Sequence, residues 1–337
     1  MNLTDGLASR RYPCRGVDAA KGSGVTMTTM NPTAFASQTV LTSMKLELDK
    51  DALARADAPI GVFDSGLGGL SVLAHLVDEL PHERYVYLAD TLHVPYGSRS
   101  SDDIRRLTIQ AVDWLVNQGC KLVVIACNTA SAHGLQAVRE RYPSLPIVGL
   151  VPAIKPAVLR SQTKQIAVLA TPATLHGELL NTVINHVAIP QGVQVHKYSL
   201  ISLVPWVEAA MPTDHQAVHD LEQLLQQLFA HQVDQLVLGC THYPFFKPYL
   251  QAKLATIGQD DVTSLSLIDS GHAIAKRVGS LLTQLNHLHE GREGQLTALQ
   301  FYATANLATT TQVAQRLLHQ FFPVLDVSFW QAHVTDK

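Results

Sequence analysis

Two cysteines, Cys127 and Cys240, end two similar apolar runs, VVIACNTASA and LVLGCTHYPF. The polar residues that follow them are Asn128, Thr129, Thr241 and His242. The reference pKa of a thiol, about 8.5, lies near neutrality, so a cysteine can give or take a proton at physiological pH. Two thiols on opposite faces of one carbon can remove a proton from one side and deliver a proton to the other. That chemistry inverts the configuration of the carbon.

The alternative is that each cysteine is a small buried apolar residue at a strand end. We prefer that interpretation for Cys120, which precedes its strand, and we regard Cys14 as an incidental thiol. Cys127 and Cys240 differ from these two because they occupy matched positions. Leu115 and Leu228 precede them at the same separation, so helix, turn, strand and thiol keep the same register in both halves.

Alternating short apolar strands and amphipathic helices position these residues from Pro59 onward. This alternation predicts an α/β fold with parallel sheets, organised as two pseudo-symmetric lobes with the active site in the cleft between them. Two strand pairs correspond, IGVFDS with IAVLAT and PIVGLV with SLSLID, which favours an internal duplication. We expect an N-terminal extension over 1–58, a first lobe over 59–152 plus 262–337, and a second lobe over 153–261.

Two further loops carry polar residues at strand ends. In IGVFDSGLGGLSVL a strand runs into Asp64 and Ser65, and the following glycines permit a tight turn close to a ligand. The spacing is not that of a dinucleotide-binding loop. In YLADTLHVPYGSRS, Asp90 ends a strand and the segment Pro95, Tyr96 and Gly97 forms a turn whose N–H groups can bind an anion.

Composition limits the class of partner. The 337 residues carry 25 Lys and Arg against 28 Asp and Glu, so the formal charge of −3 disfavours a nucleic-acid or membrane-surface partner. No apolar run is long enough to cross a bilayer and no secretory signal is present, so we expect a cytoplasmic protein. The scattered histidines suggest no metal site, and no lysine motif suggests pyridoxal phosphate, so we expect no cofactor.

The four motifs VFDSGLGGLSVL, ACNTA, LGCTHYP and LIDSG, in this order, resemble those of the glutamate racemases over about residues 59–285. These are the cofactor-independent, two-cysteine enzymes of the aspartate/glutamate racemase superfamily. The resemblance implies interconversion of L- and D-glutamate to supply D-glutamate for peptidoglycan. Cys127 would handle the proton on the D face of the substrate, and Cys240 the proton on the L face.

The resemblance also implies roles for the other motif residues. Asp64 would assist Cys127 and His242 would assist Cys240, with Glu208 behind the histidine unless it is simply an exposed helical glutamate. The substrate site would be lined by Asp64, Ser65, Asp90, Pro95, Tyr96, Gly97, Asn128, Thr129, Thr171, Thr241 and His242.

The sequence departs from the family pattern at two places. Ala89 and His93 replace a glycine and an arginine beside Asp90, and a Ser/Tyr pair expected after Thr171 and Thr174 is absent. The N-terminal extension together with VGLVPAIKPA is similar to the branch activated by a cell-wall nucleotide precursor. Domain closure would use hinges near VPAIKP and near residue 262. The sequence leaves open whether the protein is a monomer or a homodimer.

Three rival interpretations remain. A relative specific for aspartate or another amino acid would keep both thiols but change the side-chain pocket. A one-cysteine lyase of the same superfamily is disfavoured by the second thiol. A two-lobed amino-acid binding module would use the same helix ends and hydroxyls without chemistry.

Overall fold

The computed structural model describes residues 56–256, 264–289, 297–320 and 326–334. Nearly all of the predicted extension over 1–58, including Cys14, lies outside the described residues. The rest builds two parallel sheets, in agreement with the predicted α/β class. Among the described helices, none combines the length and the apolar character needed to cross a membrane.

The first sheet contains six strands in the order β10-β9-β2-β1-β3-β4, and every neighbouring pair is parallel. The strands are β1 (Ile60–Asp64), β2 (Tyr85–Ala89), β3 (Leu122–Ile125), β4 (Ile147–Gly149), β9 (Ala298–Ala303) and β10 (Asp326–Gln331). The central strands are almost continuously apolar and buried, as expected when helices cover both faces of a parallel sheet.

The second sheet contains four parallel strands in the order β6-β5-β7-β8. They are β5 (Gln165–Leu169), β6 (Gln194–Tyr198), β7 (Gln235–Leu238) and β8 (Ser266–Ile268). The order repeats that of β2-β1-β3-β4 in the first sheet, which supports the predicted relation between the two halves. One apolar cluster includes Leu122 of the first sheet and Leu169 and Leu238 of the second, so the two lobes share a core.

The helices connect these strands and cover the sheets. They are α1 (Leu70–Glu79), α2 (Ser101–Asn117), α3 (Asn128–Arg141), α4 (Ile154–Arg160), α5 (Pro172–His176), α6 (Glu178–Val183), α7 (Leu203–Glu208), α8 (Gln216–Ala230), α9 (Lys247–Thr256), α10 (Gly271–Gln284) and α11 (Leu307–His319). Short 3-10 turns span Tyr96–Ser98, Ile189–Gln191 and Tyr243–Phe246, and a π-helical turn spans Ile184–Ala188.

One sequence prediction about these elements is wrong in detail. The chain was expected to return to the first lobe at residue 262, but β8 pairs with β7, so the return follows Ile268. In the second lobe, Gly177 adopts an extended backbone between α5 and α6, where a β-carbon would lie 2.8 Å from that of Ala132.

Candidate active site

The two candidate thiols occupy equivalent places in the two sheets. Cys127 follows β3, whose neighbour β1 ends at Asp64. Cys240 follows β7, whose neighbour β5 leads into Thr171. Ligands of open parallel sheets bind beyond the carboxyl ends of such strands, and both thiols lie there.

Cys127 is the N-cap residue of α3 and is buried. Its Sγ lies 3.3 Å from the Ser65 hydroxyl and accepts a hydrogen bond from the Ala130 N–H at 3.4 Å. Burial raises the pKa of Cys127 to about 12, and the negative charge of Asp64 adds to this rise, while the hydrogen bonds from Ser65 and Ala130 oppose it. At neutral pH the sulfur is therefore a thiol, able to donate a proton.

Asp64 is buried beside this thiol. Its Oδ2 accepts a hydrogen bond from the Gly69 N–H at 2.8 Å, and the Tyr87 hydroxyl lies 3.4 Å from the same oxygen. Burial raises the pKa of Asp64, and the positive charge of His242 opposes the rise. Residue 69 must be glycine because a β-carbon there would lie 2.8 Å from both Asp64 Cβ and the Tyr87 hydroxyl.

Cys240 is buried next to an acid–base pair in the second lobe. His242 Nε2 lies 2.9 Å from Glu208 Oε1. Burial alone would lower the pKa of His242, but hydrogen bonds to Cys240 and to Glu208 raise it to about 10. His242 is therefore an imidazolium at neutral pH, and it lies beside the Cys240 sulfur.

The two lobes meet directly at these residues. Ser71 of α1 donates a hydrogen bond to the Thr241 carbonyl at 2.7 Å. The loop before α1 passes so close to the second lobe that a β-carbon at Gly68 would lie 2.5 Å from the Thr241 hydroxyl. An ionised Cys240 would raise the pKa of Cys127 further, so the two sulfurs lie within electrostatic reach of each other.

Three threonine hydroxyls form a second contact between the lobes. Thr129 Oγ1 of the first lobe lies 2.9 Å from Thr171 Oγ1 and 3.3 Å from Thr174 Oγ1 of the second. Thr171 is also the N-cap of α5, and a β-carbon at Gly97 would lie 3.2 Å from Thr171 Cβ. The turn before α2 therefore packs against the second lobe at the predicted substrate site.

Asp90 is buried and contacts Tyr96 in the turn before α2. Its carboxylate accepts hydrogen bonds from the hydroxyls of Tyr96 at 2.6 Å and Thr304 at 2.9 Å, and it lies 2.9 Å from His93 Nδ1. These contacts give Asp90 a role in holding the turn. His93, which departs from the family pattern, thus supports the same loop. Pro95 is exposed and follows a cis peptide bond.

Asn128 provides an acceptor without a protein partner. Its Oδ1 is buried and has no hydrogen-bond partner among the described residues. Asn128 lines a small cavity together with Ser71, Cys240 and Thr241. A polar ligand in this cavity would meet an amide oxygen, a hydroxyl and a thiol.

Sequence reasoning missed three supporting residues. They are Ser71, Tyr87 and Thr174, which contact Thr241, Asp64 and Thr129 respectively. Ser71 lies within a quoted motif, and Tyr87 is an inward-facing polar residue of a buried strand. No sequence pattern indicated the contacts of Ser71 and Tyr87, because the residue that each one contacts is distant along the chain.

Comparisons with known proteins agree with this arrangement. The family model described as Asp/Glu/Hydantoin racemase matches residues 60–278. A glutamate racemase of Deinococcus radiodurans is 48% identical over 250 residues, covering 74% of this chain and 83% of the relative. A glutamate racemase of Ralstonia nicotianae is 39% identical over 264 residues, covering 78% and 91%.

Solved structures show the same fold. Glutamate racemase from Francisella tularensis subsp. tularensis SCHU S4 in complex with D-glutamate has a TM-score of 0.70 at 26% identity, covering 83% of this chain and 98% of that one. Escherichia coli glutamate racemase in complex with L-glutamate and the activator UDP-MurNAc-Ala has a TM-score of 0.67 at 28% identity, covering 83% and 100%. The resemblance inferred from the four motifs is confirmed. The chain belongs to the Asp/Glu/Hydantoin racemase family.

Proposed function

We propose that this chain is a glutamate racemase that interconverts L- and D-glutamate without a cofactor, using Cys127 and Cys240 as the two proton carriers. The observation that carries the proposal is the equivalent placement of two buried thiols on facing lobes, each beside its own ionisable partner. The high identity to curated glutamate racemases supports glutamate as the substrate.

The two thiols would act in sequence on opposite faces of Cα. From L-glutamate, the Cys240 sulfur takes the Cα proton as the C–H bond breaks, and the Cys127 thiol delivers its proton to the other face to form D-glutamate. The reverse reaction exchanges these roles. The raised pKa of Cys127 and the imidazolium beside Cys240 suit the enzyme for L-glutamate first, because the donor is protonated and the base has a cationic partner.

The remaining residues would bind the substrate and stabilise the carbanion. We propose that Asp64 and Ser65 interact with the ammonium group, and that hydrogen-bond donors of Asn128, Thr129 and Thr241 bind a carboxylate. Thr171 and the turn residues Pro95, Tyr96 and Gly97 would line the rest of the pocket. Preorganised donors in a site closed to water are the main means of stabilising such a charge without a cofactor.

The wider setting belongs to the same proposal. D-glutamate would supply peptidoglycan synthesis, and the place of action would be the cytoplasm. The E. coli relative was solved with the activator UDP-MurNAc-Ala, and we propose that a cell-wall nucleotide precursor activates this chain too. We further propose that the two lobes close over the substrate. The hinges would lie where the chain crosses between the lobes, near residues 151–156 and again after Ile268. Monomer and homodimer both fit the proposal.

The test uses L- and D-glutamate, incubated separately in heavy water with wild type, Cys127→Ser and Cys240→Ser. Optical rotation and loss of the Cα proton are followed with and without the nucleotide precursor. We expect wild type to racemise and deuterate glutamate, and each variant to lose about 10²–10⁴-fold in kcat while remaining folded. Full activity in either variant would exclude the two-base mechanism.

Two controls separate the rival functions. A panel of amino acids that includes aspartate and alanine identifies a related racemase of different specificity. A binding module would bind glutamate, as measured by calorimetry, but would introduce no deuterium at Cα. Either result would replace glutamate racemisation as the assigned activity.

A further inference from the structure

The carboxylate of Glu208 is not held in place by burial. Its side chain is 39% exposed, and it extends from the last residue of the six-residue helix α7. Just beyond α7 the chain turns through Ala210 and Met211, both in the left-handed region at φ 67° and 55°. The orientation of Glu208 toward His242 therefore depends on how the end of α7 is fixed.

Arg316 fixes this helix end from the other lobe. It belongs to α11, which packs against α1 and β10 of the first lobe. Its Nη2 donates a hydrogen bond to the backbone carbonyl of Glu208. The last carbonyls of a helix lack partners within it, and a cationic donor satisfies one of them while interacting favourably with the helix dipole.

The guanidinium Nε is buried and has no hydrogen-bond partner among the described residues, whereas Nη2 is satisfied by the Glu208 carbonyl. Losing that hydrogen bond would leave a further donor of the same guanidinium unsatisfied, which is costly for a buried group. Arg316 lies outside residues 60–278, the range matched by the family model.

We infer that Arg316 is a positioning residue that orients Glu208 against His242 across the lobe boundary and so sets the acid–base pair that serves Cys240. This inference rests on the proposed function for its catalytic consequence. The geometric step, from Arg316 to Glu208 to His242, does not depend on which amino acid is racemised.

The charged groups around His242 make the effect measurable. Glu208 reaches it from α7, Cys240 precedes it in the same loop, and Asp64 faces it from the end of β1. If Glu208 loses its orientation, the imidazolium loses one of its two hydrogen-bonded partners. Cys240 and Asp64 remain, so the histidine stays in place but becomes less basic.

The experiment compares wild type with Arg316→Met, Arg316→Lys and a control, Arg105→Met. Arg105 is an exposed arginine of α2 paired with Asp102, so its variant removes the same charge and side-chain type. Three quantities are measured: kcat and KM for both glutamate enantiomers, and the pKa of His242 by NMR of isotope-labelled imidazole. The NMR measurement needs no activity.

We expect Arg316→Met to lower kcat about tenfold with little change in KM, because losing the Arg316 hydrogen bond displaces Glu208 from His242, while Arg316 itself touches no substrate group. The pKa of His242 should fall by about one pH unit, as expected for losing a hydrogen bond to a charged partner. Arg316→Lys, which keeps a cationic donor, should recover part of both changes. Arg105→Met should match wild type.

A double-mutant cycle with Glu208→Gln distinguishes positioning from general destabilisation. If Arg316 acts through Glu208, Arg316→Met should cause little further loss of kcat in the Glu208→Gln background. Unchanged kcat and His242 pKa in Arg316→Met, or fully additive losses, would overturn the inference. If Arg316→Met does not fold, Arg316→Gln replaces it and the same results decide. A wild type that racemises no glutamate contradicts the proposed function alone, because the His242 titration still tests the positioning.

Discussion

Gly68 of the first lobe packs directly against His242 of the second lobe, because a β-carbon at residue 68 would lie only 2.4 Å from His242 Nδ1. The same β-carbon would lie 2.8 Å from the backbone nitrogen of His242. Backbone cannot rotate away as a side chain can. The approach of the two lobes therefore requires glycine at this position.

We predict that Gly68→Ala lowers kcat/KM for glutamate about 10²-fold, because separating the lobes misplaces the two thiols relative to Cα. Gly66→Ala in the same loop is the matched control, since its β-carbon would meet its nearest neighbour, Val94, at an ordinary 3.5 Å. Steady-state kinetics of both variants check the prediction. Equal activities would contradict a requirement for close contact at position 68.

The two cysteine variants should differ in the enantiomer that they deuterate. Cys127→Ser keeps Cys240 and His242, so we expect it to exchange the Cα proton of L-glutamate faster than that of D-glutamate. Cys240→Ser should show the opposite preference. Proton NMR in heavy water measures both rates, and exchange without a preference in both variants would argue against one thiol serving each face.

The raised pKa of His242 predicts a pH dependence of stability. Its folded-state pKa, about 10, lies above the ordinary value of 6.5, so the folded protein holds a proton that the unfolded chain releases. The contribution is complete below pH 6.5 and is lost as the pH rises toward 10. The slope for one proton is at most about 1.4 kcal/mol per pH unit.

Urea unfolding of wild type and His242→Asn between pH 6.5 and about 7.5 isolates this effect, because the ordinary pKa of a thiol, about 8.5, lies above that range. The free energy of unfolding of wild type should fall more steeply with pH than that of the variant. Parallel curves would show that His242 is not held as an imidazolium.

A buried ion pair at the amino ends of the strands should matter for stability alone. Lys121 Nζ lies 2.7 Å from Glu83 Oε2, with both side chains almost fully buried, and donates to the carbonyls of Ala56 and His287. We predict that Lys121→Met lowers the free energy of unfolding by about 3–5 kcal/mol, since Glu83 is left charged and unpaired.

In that variant, kcat measured per folded molecule should stay near the wild-type value, because the pair lies at the end of the sheet away from the cysteines. Arg105→Met, which breaks an exposed pair, is the control and should change stability little. Thermal and urea unfolding provide the measurement. A loss confined to kcat would contradict a purely structural role for the pair.

Local patterns were sufficient to predict the strands that carry the thiols. The runs before Cys127 and Cys240 are short, β-branched and bounded by helices, so their place at the carboxyl ends of parallel strands follows from periodicity. The His242 and Glu208 contact, expected from the resemblance to the family, is present at 2.9 Å. Their catalytic roles stay predictions.

Long-range contacts explain what the sequence did not reveal. The strand β8 has only three residues, and its pairing partner rather than its composition assigns it to the second sheet. The hydrogen bonds that Tyr96 and Thr304 donate to Asp90 also had no local signal, and the contact of Asp90 with substrate stays a prediction. No local signal connects Arg316 with Glu208, because the two residues meet only after the lobes assemble.

The matching strand order of the two sheets has a consequence for the energetics of the proposed reaction. Enantiomers have equal free energies, so their equilibrium constant is unity and the enzyme must have the same kcat/KM in both directions. The two related halves therefore cannot favour one enantiomer in kcat/KM, however much the surroundings of their thiols differ. The two sulfurs have unlike partners, a carboxylate for one and an imidazolium for the other. This difference can change kcat for one enantiomer only if KM for that enantiomer changes by the same factor.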